Sequence, residues 1–273
     1  MIVVKIYGGL GNQLFQYACA RALSVKTDQT LLMEMSYFIH NPHRTTPQWP
    51  YQLDCYSIAA HPIEPDTPWE ALPQYHEKSF YYDPEVLNLS GPVFLKGFWQ
   101  SPQYFESIQS LLRKELTYKH ALNSNLLDQV TSTHSVGLHI RRGDYLLPQI
   151  NSSHPVLSLS YYHQASDLLG QRFENLHFFV FSDDPTWAET HLNLPYPVTL
   201  INTQNAMEDF ELQRACQHNI IANSSFSWWA AWLNNSPGKQ VVAPKYWLKS
   251  DPNITRDLLP SNWLNLEVKE ETI

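Results

Sequence analysis

Two arginines and a histidine lie together in the segment His139-Ile-Arg-Arg-Gly-Asp144. Arginine can form two parallel hydrogen bonds to a phosphate, a geometry that lysine cannot reproduce. In a strand, alternate residues share a face, so His139 and Arg141 project together, about 7 Å apart, and Arg142 points away. The segment predicts a diphosphate site on Arg141. The alternative is that Arg141 or Arg142 forms a structural ion pair with Asp144 or another acid.

Two acidic residues, Asp183 and Asp184, follow a second apolar run at 177–181. Asp184 precedes Pro185, a pattern typical of a helix N-cap followed by proline in the first turn. Asp183 then remains as a carboxylate that can accept two donors from the edge of a guanine ring. The competing interpretation is a divalent metal site made by the two acids, although no second acidic cluster completes one.

A third apolar run, 218–222, leads into Asn223-Ser-Ser-Phe226. Small polar residues at a helix start leave backbone N–H groups exposed, and these groups favour an anion. We expect Ser224 and Ser225 to donate to phosphate oxygens, with simple N-capping as the alternative. The helix that follows is apolar on all sides, so its tryptophans are expected in the core.

Three glycines at positions 8, 9 and 11 follow the first apolar run. The loop resembles a dinucleotide-binding fingerprint but lacks its third glycine, so it indicates only that the backbone approaches another group closely. For Asn12, the alternative to a role in this loop is that it is simply the N-cap of the helix that follows.

These segments fall at the ends of short apolar runs that alternate with stretches of helical length. The predicted strands are 2–6, 31–33, 93–96, 136–141, 177–181, 198–201, 219–222 and 240–243. The predicted helices are 12–25, 101–116, 160–170, 185–192, 206–217 and 225–234. Such alternation predicts parallel sheets covered by helices, with ligands bound beyond the carboxyl ends of the strands. The proline-rich stretch 41–73 is expected to form irregular connections, and 119–135 a linker.

Composition excludes some classes of partner. The formal charge is −8, from 26 acidic residues against 18 lysines and arginines, which argues against binding to nucleic acid or to an anionic membrane surface. No apolar stretch approaches the roughly 20 residues of a transmembrane helix. Three widely spaced cysteines suggest neither disulfides nor zinc. We therefore expect a cytoplasmic protein without an integral membrane segment.

Five segments carry a family resemblance. They are Gly8-Gly-Leu-Gly-Asn-Gln-Leu-Phe-Gln-Tyr-Ala18, Gly97-Phe-Trp-Gln-Ser-Pro-Gln-Tyr-Phe105, His139-Ile-Arg-Arg-Gly-Asp-Tyr145, Phe181-Ser-Asp-Asp184 and Asn223-Ser-Ser-Phe-Ser-Trp-Trp-Ala-Ala-Trp232. In this order they resemble the α-1,2-fucosyltransferase family and, more distantly, the α-1,6- and protein O-fucosyltransferases.

The resemblance implies an α/β fold of GT-B type, in which two Rossmann-like domains face each other across a cleft. Residues 1–130 would form the acceptor side and residues 131–273 the GDP-fucose side. It further implies inverting transfer of L-fucose from GDP-fucose, without metal or other cofactor, to the 2-hydroxyl of a terminal β-galactose. The acceptor would be an oligosaccharide or a lipid-linked glycan, and peripheral attachment to the inner face of the membrane is left open.

The resemblance also assigns residues. Arg141 resembles the pyrophosphate arginine, and His139 with either Asp183 or Asp184 resembles the guanine contacts. Donor contacts near the phosphates and the base are assigned to Ser224, Ser225 and Phe226. A loop that closes on the donor is assigned to Gly9, Gly11 and Asn12.

This sequence differs from its relatives at the position of the catalytic base. In the α-1,6-transferring relatives a glutamate shortly after the arginine motif has this role, but 145–149 contains no carboxylate. Asp144 is the nearest candidate, either as the base or as a residue that orients an arginine. Two other functions stay open: a GT-B transferase for another nucleotide-sugar, and a non-catalytic glycan-binding protein suggested by the nine tryptophans and fifteen tyrosines.

Overall fold

The first strand of the chain, IVVK, is buried on both faces, as aliphatic strands of parallel sheets are. In the computed structural model, which describes residues 1–39, 49–64, 66–251 and 253–268, the chain divides into two units, Met1–His120 and Ala121–Ile273. Each unit is built on its own parallel sheet.

The first unit places this strand at the centre of its sheet. Its strands are β1 (Ile2–Lys5), β2 (Leu31–Glu34), β3 (His61–Pro62), β4 (Gln74–His76) and β5 (Val93–Lys96), in the order β3-β2-β1-β5-β4. Its α-helices are α1 (Leu10–Thr27) and α2 (Gln109–Glu115). β1 pairs in parallel with β2 and with β5, so the loops after these strands emerge at one edge.

The second unit has a larger sheet. Its strands are β6 (His134–Ile140), β7 (Leu176–Ser182), β8 (Val198–Ile201), β9 (His218–Ile220), β10 (Val241–Pro244) and β11 (Leu264–Leu266), in the order β11-β10-β9-β6-β7-β8. Its helices are α3 (Ser124–Ser132), α4 (Pro148–Asn151), α5 (Leu159–Gly170), α6 (Pro185–His191), α7 (Ala206–Ala215), α8 (Ser225–Leu233) and α9 (Thr255–Leu258). Each strand of this sheet pairs in parallel with its neighbours.

Helices cover both faces of this second sheet. On one face Val136 and Leu138 of β6 pack with Tyr161 of α5, and on the other Phe179 of β7 packs with Leu212 of α7. This alternation is the two-residue period of strands that are buried on both sides. The expected α/β class and its two Rossmann-like halves, the composition of a GT-B protein, are confirmed.

Three local expectations are wrong. Asn12 does not cap α1, which begins at Leu10 with Gly9 in the N-cap position. The expected linker 119–135 contains α3, because the side chain of Asn123 accepts hydrogen bonds from the first backbone N–H groups and Val130 is fully buried. α3 lies in the second unit, which begins at Ala121.

The third concerns the predicted helix 101–116. Ser101 does accept a hydrogen bond from the N–H of Gln103, with Pro102 after it, but the chain continues as short 3₁₀ turns before α2 begins at Gln109. Burial of Tyr104 and Phe105 holds the backbone out of a continuous helix.

Part of the stretch 41–73, where irregular connections were expected, lies outside the described residues. The part that is described contains β3 and two short 3₁₀ turns, Leu53–Cys55 and Trp69–Ala71. Among the residues that the structure describes, no helix combines the length and the apolar character needed to cross a bilayer.

Candidate active site

Three loops of the second unit meet at the carboxyl edge of its sheet. β6 lies between β7 and β9, with Ile140 paired to Ser182 and Leu138 paired to Ile220. The residues that follow these three strands therefore adjoin one another, as the alternating pattern of the sequence predicts. This edge holds most of the residues for which chemistry was expected.

The guanidinium of Arg141 is bound from two sides by carboxylates. Its Nη2 lies 2.6 Å from Oδ1 of Asp144, and its Nη1 lies 2.8 Å from Oδ2 of Asp183. The Arg141 side chain is only 16% exposed, and its Cζ lies 5.4 Å from the centre of the Tyr145 ring. Burial acts to lower the pKa of Arg141, but Asp183, Tyr145 and Asp144 raise it more. Arg141 is thus a fixed, permanently charged group.

Asp183 also fixes the backbone after β6. Its Oδ1 accepts a hydrogen bond from the N–H of Arg142 at 2.8 Å. A Cβ atom at Gly143 would lie 2.5 Å from the Asp183 Oδ2, so only glycine leaves room for this carboxylate. One aspartate therefore holds both the side chain of Arg141 and the turn behind it.

The second arginine has different partners. The Cζ of Arg142 lies 3.7 Å from the centre of the Trp187 ring, a cation–π contact, and its Nε lies 3.5 Å from Oδ2 of Asp184. Asp184 is at the same time the N-cap of α6, because its Oδ1 accepts from the N–H of Trp187 at 3.2 Å. Arg142 therefore anchors α6 to the end of β6, while Arg141 points elsewhere.

The contacts of Asp183 and Asp184 test the alternative that these residues bind a divalent metal ion. Asp183 and Asp184 each pair with an arginine, so a divalent cation at these carboxylates would have to displace a guanidinium. Within the described residues, no group of three or more histidine, cysteine, aspartate or glutamate side chains is arranged to hold a metal ion. The two arginines instead hold these carboxylates in place.

The loop after β9 is locked to the loop after β6. The hydroxyl of Tyr145 donates to the carbonyl oxygen of Asn223 at 2.9 Å. The Nδ2 of Asn223 donates to the carbonyl oxygens of Pro155 and Trp247. Ser224 is the N-cap of α8, without a side-chain capping hydrogen bond. The helix start is therefore held in place by its neighbours, and the positive end of the helix dipole lies at the site.

His139 faces the same helix start and is neutral. Its ring centre lies 5.5 Å from that of Phe226, whose other neighbour is Phe210. Burial, and secondly the charge of Arg141, lower the pKa of His139 to about 3. Its Nδ1 is buried and has no hydrogen-bond partner among the described residues. A neutral imidazole with an unused nitrogen beside an aromatic ring suits a flat, polar ligand.

In the first unit, the glycine loop is shaped by backbone conformation and by two glutamines. Gly8 has a φ of +79°, which favours glycine. The Nε2 of Gln13 donates to the carbonyl oxygens of Gly8 and Pro50, and the Oε1 of Gln16 accepts from the N–H of Tyr7. Asn12 uses its Oδ1 to accept from the Nε2 of Gln100 at 2.8 Å.

Several residues of these sites were missed from the sequence. They are Gln13 and Gln16 of α1, Tyr145 and Trp187 of the second unit, and Asn223. The glutamines carried a signal, since two amides three positions apart on an apolar helix face must have buried partners. Trp187 carried none, because its contact with Arg142 joins helix α6 to the segment after β6, two regions far apart in the sequence.

The sequence of the chain is similar to those of known glycosyltransferases. The sequence profile described as Glycosyl transferase family 11 matches residues 70–267. The chain is 31% identical to an alpha-1,2-colitosyltransferase of Escherichia coli, with 98% of this chain and 99% of that protein covered. It is 29% identical to the O-antigen biosynthesis glycosyltransferase WbnK of Escherichia coli, with 95% and 98% covered.

A human protein and a solved structure are also similar. The human galactoside alpha-(1,2)-fucosyltransferase 1 is 29% identical, with 83% of this chain and 63% of that protein covered. The crystal structure of the α-1,6-fucosyltransferase NodZ soaked with GDP-fucose is 13% identical, with a TM-score of 0.49 and with 85% of this chain and 92% of that chain covered.

Proposed function

Because the chain belongs to glycosyltransferase family 11, we propose that it transfers L-fucose from GDP-fucose to the 2-hydroxyl of a terminal β-galactose. One observation carries the proposal: the guanidinium of Arg141 is fixed at the carboxyl end of β6 by Asp144 and Asp183. The names of relatives that act on galactosides support the choice of sugar and acceptor.

In this proposal the donor diphosphate binds between Arg141 and the start of α8. The backbone N–H groups at the helix start and the hydroxyls of Ser224 and Ser225 donate to its oxygens. Arg141 supplies the positive charge.

The guanine ring of the donor lies beside His139 and Phe226. His139 is neutral at physiological pH, so its ring can accept or donate one hydrogen bond without adding charge. Asp184, with a more exposed side chain than Asp183 at 32% against 24%, is the carboxylate proposed for the edge of the base. The contact of Gly9, Gly11 and Asn12 with the donor stays a prediction.

The chemical step would be an inverting displacement. The galactose 2-hydroxyl attacks the anomeric carbon of fucose from the face opposite GDP and loses its proton to water. The bond from that carbon to the β-phosphate oxygen breaks, GDP leaves with the bonding electrons, and negative charge develops on that phosphate. Arg141 and the α8 N-terminus are already oriented to stabilise this charge. Fixed donors of this kind contribute on the order of 10²-fold to 10³-fold each in turnover.

Asp144 is proposed here as a positioning residue. Its Oδ1 is bound to Arg141 at 2.6 Å, which orients the arginine from the side opposite Asp183. The variant Asp144→Asn separates this role from that of a base, because an amide oxygen can still accept from Arg141 but an amide cannot take a proton. Turnover within about tenfold of wild type supports positioning; a loss on the order of 10²-fold or more, with unchanged affinity for GDP, makes Asp144 the base.

A second candidate is the transfer of colitose, a sugar that lacks the 3-hydroxyl of fucose. The similarity to the alpha-1,2-colitosyltransferase along 98% of this chain favours it. The two candidates share the site of Arg141 and differ only in the sugar that the GDP carries.

The test is a direct assay. Purified protein is incubated with GDP-fucose, and separately with GDP-colitose, together with lactose and other β-galactosides, and the linkage of the product is determined. An α-1,2-fucosyl product that persists in EDTA supports the proposal, and preferential use of GDP-colitose supports the second candidate. No product from either donor would contradict both. Thermal shifts add a control, because GDP at 100 times its Kd should stabilise the protein by about 2.7 kcal/mol while UDP and ADP should not.

A further inference from the structure

The segment 97–99 of the first unit is held by a single carboxylate. Glu77, directly after β4, accepts a hydrogen bond from the N–H of Phe98 on Oε2 and from the N–H of Trp99 on Oε1, both at 2.8 Å. Two consecutive N–H groups that converge on a carboxylate form an anion-binding nest, here filled by a side chain of the same unit. The segment belongs to the motif 97–105, to which the donor site gives no role.

This segment stores backbone strain. Trp99 has a φ of +57°, which is rare for a residue other than glycine, and its side chain is fully buried. A Cβ at Gly97 would collide with the Cβ of Glu77 and would lie 2.8 Å from the ring of Trp99. Strained backbone of this kind persists only where surrounding contacts over-determine it, and it is concentrated at ligand sites.

Phe98, the residue before Trp99, packs with two other aromatic rings. The ring centre of Phe98 lies 5.0 Å from that of Tyr7 and 6.0 Å from that of Phe80, and the Phe98 and Phe80 rings are within 7° of parallel. Phe80 is 38% exposed, and Tyr7 and Phe98 are half-buried. We call these three residues the Phe98 cluster. Its rings are partly accessible and firmly positioned.

The cluster lies where a parallel sheet binds ligands. Tyr7 follows β1, Phe98 follows β5 and Glu77 follows β4, and these three strands are neighbours in the sheet. All three residues therefore stand beyond carboxyl ends of strands. Burial, and secondly the negative charge of Glu77, raise the pKa of Tyr7, so its hydroxyl stays protonated and can donate. Aromatic faces with a polar donor beside them are the chemistry that recognises a sugar ring.

We propose that the Phe98 cluster binds the apolar face of a pyranose ring of the acceptor, and that Glu77 is a positioning residue that holds Phe98 for this contact. The identity of the pyranose as β-galactose rests on the proposed function. The stacking surface itself does not, because it follows from the geometry of the first unit.

The first experiment replaces the flat ring. Phe98→Leu keeps an apolar side chain but removes the aromatic face, and it should raise the KM for lactose by up to about tenfold at saturating GDP-fucose. The KM for GDP-fucose should not change. Tyr118→Leu is the matched control, because Tyr118 is a half-buried aromatic residue of the same unit that packs on Tyr56 and His120 instead. An unchanged KM for lactose in Phe98→Leu overturns the proposal.

The second experiment tests the positioning role of Glu77. In Glu77→Gln, one side-chain atom that faces a backbone N–H becomes a donor, so the nest loses an acceptor. The KM for lactose should rise at least severalfold, with the KM for GDP-fucose unchanged. A variant that folds, and in which both constants change equally or neither changes, contradicts this role. If Glu77→Gln does not fold, the Phe98→Leu result alone tests whether the Phe98 cluster binds the acceptor.

A binding measurement separates this proposal from the proposed function. Saturation-transfer NMR detects contact of methyl β-D-galactopyranoside with the protein without any transfer reaction. Binding by wild type that is lost in Phe98→Leu and kept in Tyr118→Leu supports the cluster, even if no fucosyl product forms. Equal binding by wild type and Phe98→Leu, or no binding of any methyl pyranoside by wild type, overturns it.

Discussion

The carboxyl edges of the two sheets differ in chemistry although the sheets are built alike. The edge of the second sheet carries two arginines, each paired with at least one aspartate, and a neutral histidine. The edge of the first carries the aromatic Phe98 cluster and Glu77, a carboxylate whose oxygens are bound by backbone N–H groups. These residues are mostly charged at the edge of the second sheet and mostly aromatic at the edge of the first.

The difference shows how a common scaffold divides its tasks. In both units an acid does not face outward as a free group but fixes a neighbour: Asp183 holds Arg141, and Glu77 holds Phe98. What the two held groups can recognise is different, since a guanidinium matches a phosphate and a ring matches a sugar face. Substitutions in one edge should therefore affect one substrate and leave the other.

The largest effect is expected from Arg141. Arg141→Ala should lower kcat by on the order of 10²-fold to 10³-fold, because it removes a fixed charge at the leaving phosphate. Arg141→Lys should recover only part of this loss, since lysine cannot bind two oxygens in parallel. Steady-state kinetics with both substrates measures the effect. A near-normal kcat in a folded Arg141→Ala protein would contradict the assignment of the phosphate to the edge of the second sheet.

Gly143→Ala should have a smaller effect of the same kind. Its new Cβ would lie 2.5 Å from Oδ2 of Asp183 and would push this carboxylate away from Arg141. We expect kcat to fall about tenfold, with little change in the KM for the acceptor. A double-mutant cycle with Asp183→Asn checks the route, because two changes that act through one contact are not additive. Additive losses would show that Gly143 acts in another way.

The amino edge of the second sheet offers a test of stability. His218 at the start of β9 accepts from the N–H of Gln240 on Nδ1, so its Nε2 carries the proton and donates to Nε2 of His134 at 3.0 Å. The Nδ1–H of His134 then donates to the carbonyl oxygen of Glu174. Burial, and secondly His134, lower the pKa of His218 to about 4. The pair is therefore a neutral, hydrogen-bonded chain.

Acid should break this chain. The pKa of His218 lies near 6.5 in the unfolded chain and about 4 in the folded one, so its stabilising contribution is complete above pH 6.5 and is lost as the pH falls towards 4. The loss should be on the order of 2 kcal/mol in the free energy of unfolding. The difference between wild type and His218→Gln in urea unfolding at pH 7 and pH 5 measures it, because His139, whose pKa is also lowered, contributes in both proteins. His218→Gln should reduce the pH dependence, whereas His163→Gln, on α5 outside the pair, should leave it unchanged.

The smallest effect is expected at the end of α8. The Nζ of Lys239 donates to the carbonyl oxygens of Ala231, Trp232 and Asn234, which the helix itself leaves unpaired. Lys239→Met should lower the free energy of unfolding by about 1 kcal/mol and leave both KM values unchanged. A change in the KM for GDP-fucose would mean that the donor edge depends on the far end of this helix.

The sequence predicted β6 to β10 of the second unit closely, because their apolar runs are bounded by polar residues, but it did not predict β11. The strand expected at 136–141 is β6 at His134–Ile140, and that at 198–201 is β8. The ends of α1 and the presence of α3 were less visible. Gly9 caps α1 without a side chain, and α3 has a largely polar sequence whose stability comes from packing.

The sequence predicted which strand ends carry the site and that these ends are neighbours in the sheet. Period-two alternation indicates which residues of β6 share a face, but not that Asp144 and Asp183 would both close on Arg141. That arrangement depends on the 3₁₀ turn Gly143–Leu146, whose geometry no local pattern specifies. The Phe98 cluster was hidden for a similar reason, because its rings come from three separate segments.

The hydrogen bond from Tyr145 to the carbonyl of Asn223 has a consequence for protein engineering. Since Asn223 is also tied to Pro155 and Trp247, the loops after β6 and β9 form one connected body and cannot be exchanged independently. A chimera that imports the loop after β6 from a relative must import a tyrosine at this position, or the recipient's helix start will shift. Single substitutions that keep these hydrogen bonds should therefore disturb the start of α8 less than a loop graft does.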